Sequence, residues 1–262
     1  MDVSDLQTFL NEGVYSFMMI FVRLGAAFLM MPGIGDAFVP TRIRLLLALG
    51  LTLVITPMVG PDLPDPAPAL LEILALVGWE FVIGLFIGGA ARVFQAALDI
   101  GGQIISLIAG MSNAQLFSPS LGSQGSIIGA FLGVTGIALF MAANLHHLMI
   151  LGIMNSYQLF PFGQPPITED FADVFAKLVN QGFTIGFQIA APIVVVGLMI
   201  HMISGIIARV IPQIQAFILI LPLQILVSII TLGFITSTIF IFWLNQFETG
   251  MTFIFTGGAI SP

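Results

Sequence analysis

The residues able to carry out chemistry are few in this sequence, and their spacing is wrong for catalysis. His146 and His147 are adjacent, so on a helix their side chains would point about 100° apart and would not bind one metal ion together. His201 stands alone, and the sequence holds no zinc-protease pattern, nucleophile elbow or phosphate-binding loop. We therefore expect these histidines to be hydrogen-bonded inside a helical bundle. We expect no enzymatic activity, no metal and no cofactor.

Three charged residues, Arg23, Glu80 and Arg92, lie within long apolar runs. A charged group is costly in hydrocarbon, so each should face protein or water and be paired, and Glu80 with an arginine is the expected internal pair. Such a pair can hold helices in register or take part in transport. We favour the structural role, because a proton-coupled carrier usually has more carboxylates or histidines at membrane depth, and residues 100–168 contain no Asp, Glu, Lys or Arg.

The composition of the chain indicates the class of protein in which these residues lie. Of 262 residues, 58% are hydrophobic and only 7% are charged, whereas soluble domains carry roughly 25% charged residues. The chain is therefore predicted to be an integral membrane protein. The absence of cysteine excludes disulfides and thiolate metal sites, and a net charge of −7 without a basic patch argues against nucleic-acid binding.

Apolar runs separated by proline- and glycine-rich connections predict an all-α fold of about six long, partly kinked helical segments. The runs cover residues 14–32, 45–59, 69–98, 126–154, 183–208 and 216–244. As a single helix the fourth run would be roughly 40 Å long, which exceeds the ~30 Å hydrocarbon core. It must then tilt steeply or lie partly outside lipid.

The positions of the cations indicate which ends of these segments lie on the cytoplasmic side of the membrane. Four arginines lie in connections or at run ends on one side of the predicted segments, and the acidic amino terminus, the PDLPDP loop and Lys177 lie on the other. Under the positive-inside rule, the arginine-bearing connections are cytoplasmic and both termini face outward. The arginines are Arg42, Arg44, Arg92 and Arg209.

A polar, glycine-rich and uncharged stretch at residues 100–125 interrupts the apolar runs. Hydrocarbon cannot satisfy free backbone groups, so such a stretch should be buried against protein or line a water-filled path. Large deformable side chains alternate with small polar ones, and Pro119 with Gly122 argues against a long regular helix. This chemistry suits a passage for unfolded polypeptide, and it equally suits an ordinary buried re-entrant loop.

Glycines at a spacing of four residues predict close helix packing. Gly84 with Gly88, and Gly125 with Gly129 and Gly133, would each form a flat groove that lets a neighbouring backbone approach. The tandem set on the fourth run indicates that this run packs against other helices rather than lipid.

Three stretches carry a resemblance to a known family. They read RLGAAFLMMPGIGDAFVPTRIRLLLALGLTLVITP at 23–57, GMSNAQLFSP at 110–119 and ARVIPQIQAFILILPLQILV at 208–227. The turn formed by Arg209, Pro212 and Gln213, found together with an early arginine–proline pattern, is its most specific feature. Over nearly its whole length the chain resembles the FliR family, the R component of the flagellar type III export gate, to which the T component of virulence secretion is related.

The resemblance implies a pore-forming, structural subunit of the bacterial inner membrane and flagellar basal body, projecting toward the periplasm. It would contribute one R copy to a helical ring with P-type and Q-type subunits that passes unfolded polypeptides. Residues 1–182 would form a P-like part of a single 1–262 domain, and residues 183–262 a Q-like hairpin whose cytoplasmic turn meets the switch protein of the export apparatus. The plug would map to about 110–122, with its gating residues Gly110, Met111, Ser112, Asn113, Gln115, Leu116, Phe117, Ser118 and Pro119.

Two other interpretations stay open. A virulence secretion gate would share these motifs. A small-solute transporter, a different class, predicts an internal repeat and a discrete midplane site, and neither is visible in the sequence.

Overall fold

A computed structural model describes residues 3–60, 69–111, 126–162, 168–210 and 216–256. Within these ranges the chain forms seven α-helices and no strand. They are α1 Val3–Met30, α2 Thr41–Val59, α3 Leu70–Ile108, α4 Ile127–Ala142, α5 Leu145–Leu159, α6 Thr168–Val210 and α7 Ala216–Phe255.

The length and apolar character of these helices match a membrane protein. Five described helices are long and apolar enough to cross a bilayer, and the α4–α5 pair would raise the number to six if it formed one bent span. The prediction of an all-α integral membrane protein is therefore confirmed.

The fourth apolar run, which would be roughly 40 Å long as a single helix, is kinked, as expected for some of the segments. It breaks into α4 and α5, whose axes differ by 71°. Asn144, at the break, has φ 60°, and among the described residues no other non-glycine residue has a positive φ. Asparagine tolerates this left-handed conformation because its short side chain can bond locally, so the break needs no proline.

The third helix is longer than predicted and includes the first part of the polar stretch. α3 continues to Ile108, so residues 100–108 are helical, whereas a loop had been expected from residue 100. Small residues here serve packing. A side chain at Gly102 would come within 3.0 Å of the backbone of Gly129, which faces it across the helix contact. The helix ends at Ile108, and Gly110, two residues further on, has a φ of 76°, a conformation that glycine adopts without strain.

The chain divides into two compact units that each combine distant parts of the sequence. The first contains residues 1–93, 140–178 and 247–262, and the second contains residues 94–139 and 179–246. In the first unit, Phe140 and Phe247 meet edge to face with ring centroids 5.2 Å apart. In the second, the indole nitrogen of the fully buried Trp243 donates a hydrogen bond of 2.8 Å to the Phe94 carbonyl.

Candidate functional site

A buried ion pair lies in the first unit, between α1 and α3. The Nε of Arg23 lies 2.5 Å from Oε2 of Glu80, and Nη2 of Arg23 lies 3.0 Å from Oε1. Both residues are buried, with Arg23 fully inaccessible. Two parallel N–H···O bonds form the fork geometry that favours arginine over lysine. Glu80 is therefore paired with Arg23, and not with Arg92.

The remaining donors of Arg23 reach the end of α5. Nη1 donates to the Ser156 hydroxyl at 3.1 Å, and Nη2 also donates to the Phe160 carbonyl at 3.0 Å. The guanidinium carbon lies 3.9 Å from the ring centroid of Tyr157, close enough for a cation–π contact. One side chain thus joins α1, α3 and α5. A charge so fully bonded and enclosed is suited to holding helices together rather than to carrying protons.

Arg92 belongs to a different cluster, at the loop between α1 and α2. Its Nη1 lies 2.5 Å from Oδ1 of Asp36, and Oδ2 of Asp36 accepts a hydrogen bond of 2.7 Å from the Gly33 backbone. Arg44 donates to the carbonyls of Ile34 and Asp36 at 3.0 and 3.1 Å. Asp36 was not among the predicted residues, because its partner Arg92 is 56 positions away and no local pattern connects them.

The predicted glycine groove of α3 faces α1 at the ion pair. Gly84 follows Glu80 by one helical turn, so both lie on the same face of α3. A side chain at Gly84 would come within 3.0 Å of the Arg23 carbonyl, and one at Gly88 within 3.0 Å of the Ala27 carbonyl. The missing side chains therefore allow the two backbones to approach closely enough for the short carboxylate of Glu80 to reach the guanidinium.

The second unit contains the described part of the polar stretch, residues 100–111. Residues 100–108 lie in α3, and residues 109–111 follow that helix. Ser126, the first residue after the stretch, lies beside the same helix, since the Ser126 hydroxyl donates to the Gly102 carbonyl at 3.0 Å and lies 2.5 Å from the Ser106 hydroxyl. The Ser126 oxygen also accepts from the Gly129 backbone at 2.9 Å, as a residue that caps a helix start does. The residue that follows the polar stretch therefore lies against α3, the same helix in which the stretch begins.

Glycines of the fourth run pack near this point. Gly129 meets Gly102 of α3, and the Gly133 carbonyl accepts a hydrogen bond of 2.9 Å from the Gln95 side-chain amide. Gly125, the first member of the predicted tandem set, lies outside the described residues.

A cleft of about 420 Å³ opens beside the end of α3, lined also by α6 and α7. His201, Ser204 and Gln224 supply its polar side chains. The Gln224 amide donates to the Ile108 carbonyl, and His201 Nδ1 lies 2.7 Å from the Gly197 carbonyl. The cleft therefore carries polar side chains between apolar helices, and it lies where the polar stretch leaves α3.

Most of the predicted plug, and most of the predicted cytoplasmic turn, lie outside the described residues. Arg209 is described and is exposed in the last turn of α6. The predicted plug and turn residues that lie outside the described ranges are Ser112, Asn113, Gln115, Leu116, Phe117, Ser118, Pro119, Pro212 and Gln213.

The other two histidines differ from the expectation of a hydrogen-bonded interior. His147 is exposed, and Nδ1 of His146 is buried without a hydrogen-bond partner among the described residues. Their rings lie 4.1 Å apart, side by side at the start of α5. Within the described ranges, no three residues of the His, Cys, Asp and Glu types are arranged to hold a metal ion.

Comparison with known proteins gives a consistent result. A family model described as "Bacterial export proteins, family 1" matches residues 14–250. The chain is 36% identical to "Flagellar biosynthetic protein FliR" of Caulobacter vibrioides, over 90% of this chain and 94% of the relative. It is 33% identical to the protein of that name in Bacillus subtilis, over 89% of this chain and 90% of the relative.

A virulence relative is also similar. "Yop proteins translocation protein T" of Yersinia pestis is 28% identical over 58% of this chain and 59% of the relative. The resemblance to the FliR family is confirmed by these matches, and the chain belongs to the bacterial export proteins, family 1.

Proposed function

We propose that this protein is the R-type subunit of a flagellar type III export gate, where it passes unfolded flagellar proteins across the bacterial inner membrane. Family membership across residues 14–250 carries the proposal. Two relatives named "Flagellar biosynthetic protein FliR" align over about nine-tenths of this chain, whereas the virulence relative aligns over 58%. The flagellar system is therefore favoured over the virulence system.

The pore role is assigned to the uncharged polar stretch. Met111 comes three residues after the end of α3, Ser126 hydrogen-bonds to Gly102 of the same helix, and the chain between them carries no charged side chain. An uncharged, polar segment would neither trap nor repel a passing polypeptide of varied sequence. The segment 110–122 is proposed to act as the plug of the channel.

Assembly with P-type and Q-type subunits is supported by apolar surface that this chain leaves uncovered. Phe183 and Phe187 on α6 are half or more exposed, and Phe234 on α7 is 84% exposed. Helices with such faces need lipid or partner helices around them. We assign residues 1–182 to a P-like part and residues 183–262 to a Q-like hairpin. The turn at 209–213 is placed on the cytoplasmic side, where the switch protein of the export apparatus would dock.

Deletion of residues 110–122 tests the plug in cells that make the complete gate. Leakage of a small solute should rise, because the channel loses its obstruction, while Gly50→Ala should leave permeability at the wild-type level, since a side chain at Gly50 meets no atom within 4 Å. Unchanged permeability of the deletion variant, with normal gate abundance, would contradict the plug.

Purification tests the assembly. Produced with P-type and Q-type subunits, the chain should elute in one complex with them, and produced alone it should aggregate. A monodisperse monomer would contradict the proposal and favour a self-contained transporter.

Labelling tests the sidedness. Gln213→Cys should react with an impermeant thiol reagent only from the cytoplasmic side, because the turn is proposed to lie there. The sequence contains no cysteine, so the reagent would label no other position. Reaction only from the periplasmic side would reject the proposed docking turn.

A further inference from the structure

An apolar cleft of about 290 Å³ lies in the first unit, and neither member of the buried ion pair lines it. Phe21 and Leu29 of α1, Leu45 of α2 and Phe81 of α3 form its walls. Gly25 faces open space there, because a side chain built on it would meet no atom within 4 Å. The cleft is thus an apolar groove between three helices that are each long and apolar enough to span a membrane.

One end of the apolar cleft adjoins a cationic side chain. Thr41 and Arg44 line it where α2 begins, and the Arg44 guanidinium lies on the carbonyls of the α1–α2 loop. Arg92 contacts Asp36 of the same loop, so the Asp36 carboxylate is paired with Arg92. Among the described residues Arg44 has only carbonyl partners, so its single positive charge is not balanced by a carboxylate.

We propose that this cleft binds an anionic phospholipid, with one acyl chain between α1 and α2 and the phosphate at Arg44 and Thr41. The volume of about 290 Å³ supports an acyl chain rather than a helix, because a helix with its side chains is about 10 Å across and needs more room. Charge supports an anionic headgroup, since arginine binds phosphate oxygens through charge-assisted hydrogen bonds. The positive-inside rule places this loop on the cytoplasmic side, where basic pockets between helices bind lipid headgroups.

The two ends of the site recognise different parts of one amphiphile, so they can be removed separately. Gly25→Leu should occupy the apolar cleft, since a Cβ at Gly25 meets no atom within 4 Å, and Gly50→Leu is its control, because a Cβ at Gly50 also meets no atom and Gly50 does not line the cleft. Arg44→Gln removes the charge. Arg44→Lys keeps the charge while losing the fork that holds the loop carbonyls. Lys177→Gln removes an exposed cation whose ion pair with Asp173 lies on α6, as a control for net charge.

The gate complex is extracted, depleted of lipid and incubated with phosphatidylglycerol or phosphatidylcholine, and native mass spectrometry then counts the lipids that remain bound. Wild-type protein, Gly50→Leu and Lys177→Gln should retain phosphatidylglycerol about fivefold better than phosphatidylcholine, the preference expected for one cation near a headgroup. Arg44→Gln should lose the preference, Arg44→Lys should keep it, and Gly25→Leu should lose the bound lipid of either kind.

Equal retention of the two lipids by wild-type protein would overturn the proposal, as would a Gly25→Leu variant that retains lipid as well as Gly50→Leu does. A photoreactive side chain placed at Gly25 distinguishes a bound phospholipid from a neighbouring subunit as the occupant of the cleft. Attachment to phospholipid supports the proposal, and attachment to a neighbouring subunit overturns it. Each outcome is independent of whether the chain gates export, because the readout is bound lipid.

Discussion

The side-chain amide of Gln224 donates a hydrogen bond to the backbone carbonyl of Ile108. Ile108 is the last residue of α3, and Gln224 is buried in the first third of α7. The bond therefore joins α7 to the point where the polar stretch leaves α3. Since the last carbonyls of a helix have no partner within that helix, a side chain from elsewhere satisfies one of them here.

Replacing Gln224 by Leu should loosen the end of α3. The Ile108 carbonyl would lose its side-chain partner, at a cost of about 1–3 kcal/mol if the carbonyl stays buried. Hydrogen exchange measured by mass spectrometry on the assembled gate should become faster in the peptide that contains residues 105–111.

The control for this prediction is Thr231→Val, also on α7. The Thr231 hydroxyl donates to the Val227 carbonyl of its own helix, so its loss should not change exchange at α3. If exchange near Ile108 were the same in the Gln224 variant and wild type, the bond would not fix that helix end.

Removing one partner of the Arg23–Glu80 pair should be more harmful than removing both. Arg23→Leu leaves a buried carboxylate uncompensated, and Glu80→Leu leaves a buried guanidinium, each costing about 3–5 kcal/mol. The double variant buries neither charge, so thermal unfolding of the extracted gate should show partial recovery of stability relative to either single variant.

Additive losses in the double variant would show that the two side chains do not interact as a pair. Restored stability together with normal export would support a structural role for the pair. Restored stability without export would instead assign the charges to transport.

The helices and the pairing of Glu80 with an arginine could be predicted, because both follow from the local composition of the sequence. The apolar runs predicted the helices, since burial in lipid requires apolar side chains and internally satisfied backbones. The cost of charge in hydrocarbon also pointed to an arginine partner for Glu80, although two arginines were available and only the tertiary packing selects Arg23.

The roles of Gly101, Gly102 and Asp36 could not be predicted, because they depend on contacts between segments that are distant in the sequence. Gly101 and Gly102 were interpreted as part of a loop, but they lie within α3 and face the close-packed Gly186 and Gly129. The same composition suits both roles, and only the identity of the neighbour distinguishes them. Asp36 was missed for a similar reason, because its partner lies on another helix.

Gly84→Ala should destabilise the protein, and Gly78→Ala in the same helix should not. A side chain at Gly84 would press on the backbone of α1 at Arg23, and overpacking of this kind costs about 1–3 kcal/mol. A side chain at Gly78 meets no atom within 4 Å, and alanine there favours the helix by up to about 1 kcal/mol. Thermal unfolding of the extracted gate should give a lower midpoint for the first variant only. Equal midpoints would show that α1 can move away from Gly84 without loss.

Asn144 offers a test of what bends the fourth apolar run. Its φ of 60° lies in the left-handed region, which costs most residues about 1–2 kcal/mol, less for asparagine and little for glycine. If this conformation fixes the bend, Asn144→Gly should keep the thermal midpoint of the extracted gate and Asn144→Ala should lower it. Pairs of spin labels on α4 and α5 should report the same distance in wild type and Asn144→Gly. An unchanged distance and midpoint in Asn144→Ala would show instead that packing of the flanking helices enforces the 71° angle whatever residue lies at the break.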